Sequence, residues 1–117
     1  MTLRIAGPAR RDIARLLIWS ADMFGGDARQ RYEKLLARAL DGIAGDDPAS
    51  SRDASEIGHD LRLYHLRNSR LSGDDRPPVA RPRHFLIYRR DSADRVTLLR
   101  VLHDASDLPS RFNDPIA

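Results

Sequence analysis

The sequence predicts an α+β fold: two layers, with an N-terminal strand and an α-helical hairpin packed on a small antiparallel sheet, in the order β-α-α-β-β-β. Three observations carry this. Two consecutive segments of the first half repeat apolar residues at helical spacing and are separated only by Gly25-Gly26. The second half holds three runs rich in β-branched and aromatic residues. No composition shift or internal repeat divides the chain, so its 117 residues read as one domain, 1–117.

Thr2 to Ala6 reads as the first strand, with Leu3 and Ile5 on one face and Arg4 on the other, stopped by Gly7-Pro8. Pro8 suits the first turn of a helix, where its missing N–H costs nothing. That helix carries Ile13, Leu16, Leu17, Ser20, Ala21 and Phe24 on its apolar stripe, leaves Trp19 off it as a half-buried side chain, and ends at Gly25-Gly26. Asp27, with Gln30 three residues on, reads as the N-cap of a second helix. Tyr32, Leu35, Leu36, Ala39, Leu40 and Ile43 form its inner face, and Gly45 is expected to be its left-handed C-terminal residue. The strands follow at 61–66, 84–90 and 95–103, the last two joined by a tight turn in DSAD, Asp91 to Asp94. The connection from Arg67 to Pro82 is rich in Gly, Pro and charge and is expected to be mobile.

The charge balance is +3, with a pI near 9.9, and Lys34 is the only lysine. A surface whose bases are almost all arginine suits an acidic protein or a nucleic acid, because the guanidinium fork pairs bidentately with carboxylates and phosphates. Arg67, Arg70, Arg81, Arg83, Arg89, Arg90 and Arg100 cluster around the strand ends and read as an anion-binding face. There is no cysteine, so thiolate metal sites and disulfides are excluded. No run is long and apolar enough for a membrane span, and the N-terminus lacks a signal-peptide core, so a cytoplasmic protein without membrane contact is expected.

The histidines, His59, His65, His84 and His103, show no helical metal-ligand spacing, and neither a GxSxG elbow nor a P-loop is present. No metal or cofactor is expected. His65 and His84 could approach across paired strands and read as polar fillers at strand edges. The stretch LRVLHDASDLPSRF places His103, Asp104 and Asp107 at the mouth of the last strand. His103 is read as the cap of that strand, with the two carboxylates organising the turn after it.

Taken together, IARLLIWSADMFG, ARQRYEKLLARALDGIA, LRLYHLRNSR, RPRHFLIYRRD and RVLHDASDLPSRF resemble the RelE/ParE superfamily of type II toxins, in its ParE-like branch, from about Asp12 to Phe112. The resemblance implies a toxin neutralised by a ParD-like antitoxin, with operator DNA bound only through that antitoxin. It also implies DNA gyrase as the target. Nuclease relatives need cations to stabilise a phosphorane and a group to activate the 2′-OH. Here Phe85 stands where that branch often carries arginine, and acids follow His103, leaving His103 and Arg100 as the only alternative catalytic pair. The functions implied are a non-enzymatic gyrase poison, with a ribosome-dependent mRNA endoribonuclease and a non-toxic antitoxin-binding relative as alternatives. The expected antitoxin contacts are Ile13, Leu17, Trp19 and Phe24 for apolar anchors and Arg62, Arg83 and Arg90 for carboxylates. Expected target contacts are Arg67, Arg70, His103 and Asp107.

Overall fold

A computed structural model describes residues 2–45, 50–70, 79 and 81–105. Among these, β1 (Thr2–Ile5) leads into a hairpin of α1 (Gly7–Phe24) and α2 (Gly26–Ala44). Then follow β2 (Arg52–Asp53), β3 (Leu61–His65), β4 (His84–Ser92) and β5 (Arg95–His103), in a sheet ordered β1-β5-β4-β3-β2. The α+β class and the order of strand, helical hairpin and strands agree with the sequence. The sheet itself is mixed, because β1 pairs parallel to β5 while the other pairings are antiparallel. A helical hairpin between β1 and the rest carries the chain back along the sheet, which allows a parallel pairing that no tight turn could make. The two-residue β2, in the connection between α2 and β3, adds the opposite edge.

Boundaries shift by small amounts for visible reasons. Gly25 sits between the helices at φ +91°, a conformation that disfavours any side chain, and it stands where Asp27 was expected to cap. Asp27 is the second residue of the helix, within its first turn, and contributes its charge at the helix N-terminus. Gly45 ends α2 at φ −80°, outside the left-handed region. Arg90 closes that terminus instead, its Nη2 donating to the carbonyls of Ile43 at 2.8 Å and Gly45 at 3.0 Å. Leu66 leaves β3 and opens a 3₁₀ turn, Leu66–Ser69, and β4 runs on to Ser92, tightening the hairpin to Ala93-Asp94.

The sheet buries both faces. Leu16, Leu35, Leu36 and Ile43 of the helices pack with Leu86, Tyr88, Val96 and Leu98, while Ala54 and Ile57 pack with Leu61, Leu63, Ile87 and Leu102. This is why β4 is apolar at successive positions. A bulge at Leu99, where the register passes from Ile87↔Arg100 to Tyr88↔Leu98, serves the same end in β5.

β1 covers β5 only as far as Leu98. Beyond that point Asp12 of α1 takes over. Its carboxylate receives Arg100 Nε at 2.7 Å, Arg100 Nη2 at 3.1 Å and the Val101 N–H at 2.9 Å. Arg100, read from the sequence as part of an anion-binding rim and as one half of a catalytic pair, is thus buried at 4% exposure and tied to the helical layer. The connection expected to be mobile falls largely outside the described residues, as does Asp107.

Candidate functional site

Where α1 ends and α2 begins, the helical layer meets the start of β4 and the end of β5. Strand pairing places His84 opposite His103, their rings 5.3 Å apart. Trp19, half-buried in the last turns of α1, stands edge-on to four rings: His84 at 5.7 Å, His103 at 6.1 Å, Tyr32 at 6.5 Å and Phe24 at 5.6 Å. Edge-to-face contacts of this kind are the favoured geometry for aromatic quadrupoles.

Tyr32 is the hub. Its hydroxyl oxygen accepts the Arg83 N–H at 2.9 Å and its proton goes to His84 Nδ1 at 2.7 Å. Burial pushes the Tyr32 hydroxyl up to about 12 and, together with the neighbouring His103, pushes the His84 imidazole down to about 4. Both groups are therefore neutral at pH 7. With Nδ1 accepting from Tyr32, the neutral His84 ring carries its proton on Nε2, while His103 Nδ1 accepts the Ala105 N–H at 3.0 Å. The Ala105 bond is the strand cap expected of His103.

At the end of β3, His65 accepts the Arg67 N–H on Nδ1 at 3.0 Å and donates Nε2–H to Asp104 Oδ2 at 3.1 Å. Burial holds His65 below the usual imidazole range despite its carboxylate partner. Burial also works to raise Asp104, but the His65 hydrogen bond and the charges of His103 and Arg83 outweigh it, so its carboxyl lies below the usual range. The pair is a neutral imidazole on an ionised carboxylate.

Trp19, Phe24, Tyr32 and His103 line a cleft of about 730 Å³, with Arg31, Arg81 and Arg83 at its rim. A smaller cavity of about 240 Å³ adjoins through Trp19 and His103 and reaches His84, Asp12 and Arg15. Val79 joins the lining of the larger cleft, held by Arg70 Nε, which donates to its carbonyl at 2.6 Å. Among the described residues, no group of three histidine or acidic side chains could hold a metal ion.

Of the expected contact residues, Trp19, Phe24, Arg83 and His103 come together here. Ile13 and Leu17 pack half-buried against the helix-side core. Arg90 caps the far end of α2, about 20 Å along the helix from Tyr32 at 1.5 Å per residue. Arg62 donates to Ser51 Oγ at 2.9 Å beside the β2 edge. Arg67 is exposed on the 3₁₀ turn, and Arg70 is engaged with Val79. Sequence reasoning treated Tyr32 as core and His84 as filler, and gave Asp12 no role. The signal for Asp12 was available: an acid spaced with Ala9, Leu16 and Ser20 on the buried stripe of α1.

A family model described as ParE toxin of type II toxin-antitoxin system, parDE, matches residues 3–108. No curated protein matches the chain.

Proposed function

As this chain belongs to the ParE toxin family of type II toxin-antitoxin systems, we propose that it acts on DNA gyrase by binding rather than catalysis and is neutralised by a ParD-like antitoxin. The observation that carries the non-catalytic reading is the burial of Arg100 against Asp12. In the alternative catalytic pair of His103 and Arg100, the arginine would have to be free to meet the developing phosphorane. The arginine next to His103 on β5 is spent inside the protein, and the acid that follows His103 is ionised.

The antitoxin surface lies at the end of α1, where Ile18, Met23 and Phe24 are each more than 60% exposed beside the half-buried Trp19. An amphipathic or extended segment that orders on binding sets aliphatic side chains against these residues and carboxylates on Arg31 and Arg83. Of the target contacts among the described residues, Arg67 is exposed and Arg70 and His103 are half-buried. No described helix is long and apolar enough to cross a membrane, and the site of action is the cytoplasm, with operator DNA reached through the antitoxin.

Induction in cells tests this reading. Translation stays initially intact, the DNA-damage response rises, and purified gyrase loses supercoiling activity in the presence of the toxin. Codon-specific mRNA cuts on purified ribosomes, abolished by His103→Ala, would replace the gyrase assignment with the endoribonuclease.

A further inference from the structure

We propose that the smaller cavity beside α1 is a socket for one carboxylate, an acidic side chain of the segment that covers the end of α1, held between His84 Nε2–H and the Arg15 guanidinium. The socket stands on this chain's own residues; that the antitoxin brings the carboxylate rests on the reading above.

His84 is 6% exposed, lines this cavity and not the larger one, and has its Nδ1 engaged by the Tyr32 hydroxyl. Its Nε2–H has no acceptor among the described residues, and the atom is not sealed in protein, so it opens on the cavity. Arg15 lines the same cavity from an exposed position of α1, and its guanidinium likewise has no hydrogen bond or ion pair among the described residues. Asp12 lines the cavity too, but its carboxylate is taken up by Arg100 and the Val101 N–H. With that pair balanced, Arg15 leaves the socket one positive charge, which a single carboxylate matches.

Size and position select the source. The cavity of about 240 Å³ lies below the roughly 300–1,000 Å³ of small-molecule sites, and suits one side chain whose stem rests on Leu16, Val101 and Leu102. Along α1, Arg15 neighbours Ile18 and Trp19, three and four residues on, and Ile18 is 62% exposed. A segment that buries Ile18 therefore passes over Arg15 and covers its charge, at a cost unless an anion meets it. A main-chain carbonyl can accept from Nε2–H but brings no charge to Arg15, and an apolar side chain answers neither donor. A carboxylate answers both, with one oxygen for each.

Propionate, which has the stem and carboxylate of a glutamate side chain, tests the socket at pH 7, where His84 is neutral. Added to the full chain at constant ionic strength, it should shift the His84 imidazole resonances saturably. Propionamide, which lacks the charge, and inorganic phosphate, a dianion repelled by Asp12, should bind at least about tenfold more weakly. Arg15→Gln should weaken propionate binding about tenfold with unchanged far-ultraviolet circular dichroism, and Arg15→Lys should restore part of it. In the complex with the cognate antitoxin the socket is filled, so propionate should no longer shift His84. Absence of a saturable shift, or equal binding of propionamide or phosphate, would overturn the proposal. Propionate binding that persists in the complex would make the ligand a free acid and overturn the side-chain source. Met23→Asp, two turns along α1 from Arg15, should cost antitoxin affinity and leave propionate binding intact. Unchanged antitoxin affinity in that variant would remove the antitoxin surface, while the socket is judged separately by propionate.

Discussion

Arg100 and His103 stand on the same strand and face opposite demands. At Arg100 the charge is buried and held by the Asp12 carboxylate, which also takes the Val101 N–H where β1 no longer covers β5. At His103 the strand opens into a cleft lined by Arg31, Arg81 and Arg83, whose guanidinium groups have no partner among the described residues. A basic chain can therefore hold arginines of two kinds, those that complete the fold and those that leave a surface for something else. The difference is set by what each one meets and is invisible in the net charge. Arg90 and Arg70, bonded to backbone carbonyls, belong with Arg100; Arg31, Arg81 and Arg83 form the other group.

The largest effect should come from breaking the buried end. Asp12→Ala removes the carboxylate that receives the Arg100 guanidinium and the Val101 N–H in the interior, and loss of one member of a buried pair typically costs about 3–5 kcal/mol. Urea unfolding followed by circular dichroism would measure it. Replacing both partners with apolar side chains, Asp12→Leu with Arg100→Met, should recover most of that loss, because no charge is then stranded. Stability unaffected by Asp12→Ala would mean that Arg100 finds water or another partner, and the contrast between the two ends would fail.

Much of this architecture is legible in the sequence, and the parts that are not share a physical cause. The helices and the long strands follow from apolar periodicity, a local property. Even the meeting of His84 with His103 follows from register, since counting back from the Ala93-Asp94 turn pairs them once the two irregularities of the β4–β5 ladder offset each other. The parallel pairing of β1 with β5 does not follow, because it depends on where a helical hairpin delivers the chain. The Asp12–Arg100 pair links residues from opposite ends of the sequence, and only its misplaced acid on an apolar stripe announces it. Tyr32 fits an apolar stripe so well that its hydroxyl, the hinge of the site, leaves no mark in the pattern.

An intermediate effect is expected from acid at the cleft. His84 titrates near 6.5 in an unfolded chain but is held down to about 4 in the fold, chiefly by burial. Protons therefore favour the unfolded state between these values. The stabilisation is complete above the unfolded value and is lost as the pH falls toward about 4, amounting to roughly 3 kcal/mol for a shift of this size. Unfolding measured in buffers from neutral to about pH 4 should show that slope. His84→Phe should reduce it, leaving what His65, also held down by burial, contributes below neutrality and what Asp104 contributes at the acid end. A slope left unchanged by the substitution would place the titrating group elsewhere.

The smallest expected effect sharpens the comparison most. Arg81 and Arg83 are exposed, their guanidinium groups have no partner among the described residues, and the one structural bond in this stretch uses the backbone N–H of Arg83, which any residue but proline supplies. Arg81→Ala and Arg83→Ala should therefore change unfolding free energy by no more than about 0.5 kcal/mol, the usual range for surface positions without such features. Tyr32→Phe, by contrast, strands that same N–H together with His84 Nδ1 and should cost about 1–3 kcal/mol. If the arginine variants proved as damaging as Tyr32→Phe, the rim would be part of the scaffold, and its open charge would be a property of the fold alone. If they are neutral to stability yet weaken binding, the protein holds these arginines in solvent at no gain to its own folding, and their role lies in what the cleft receives.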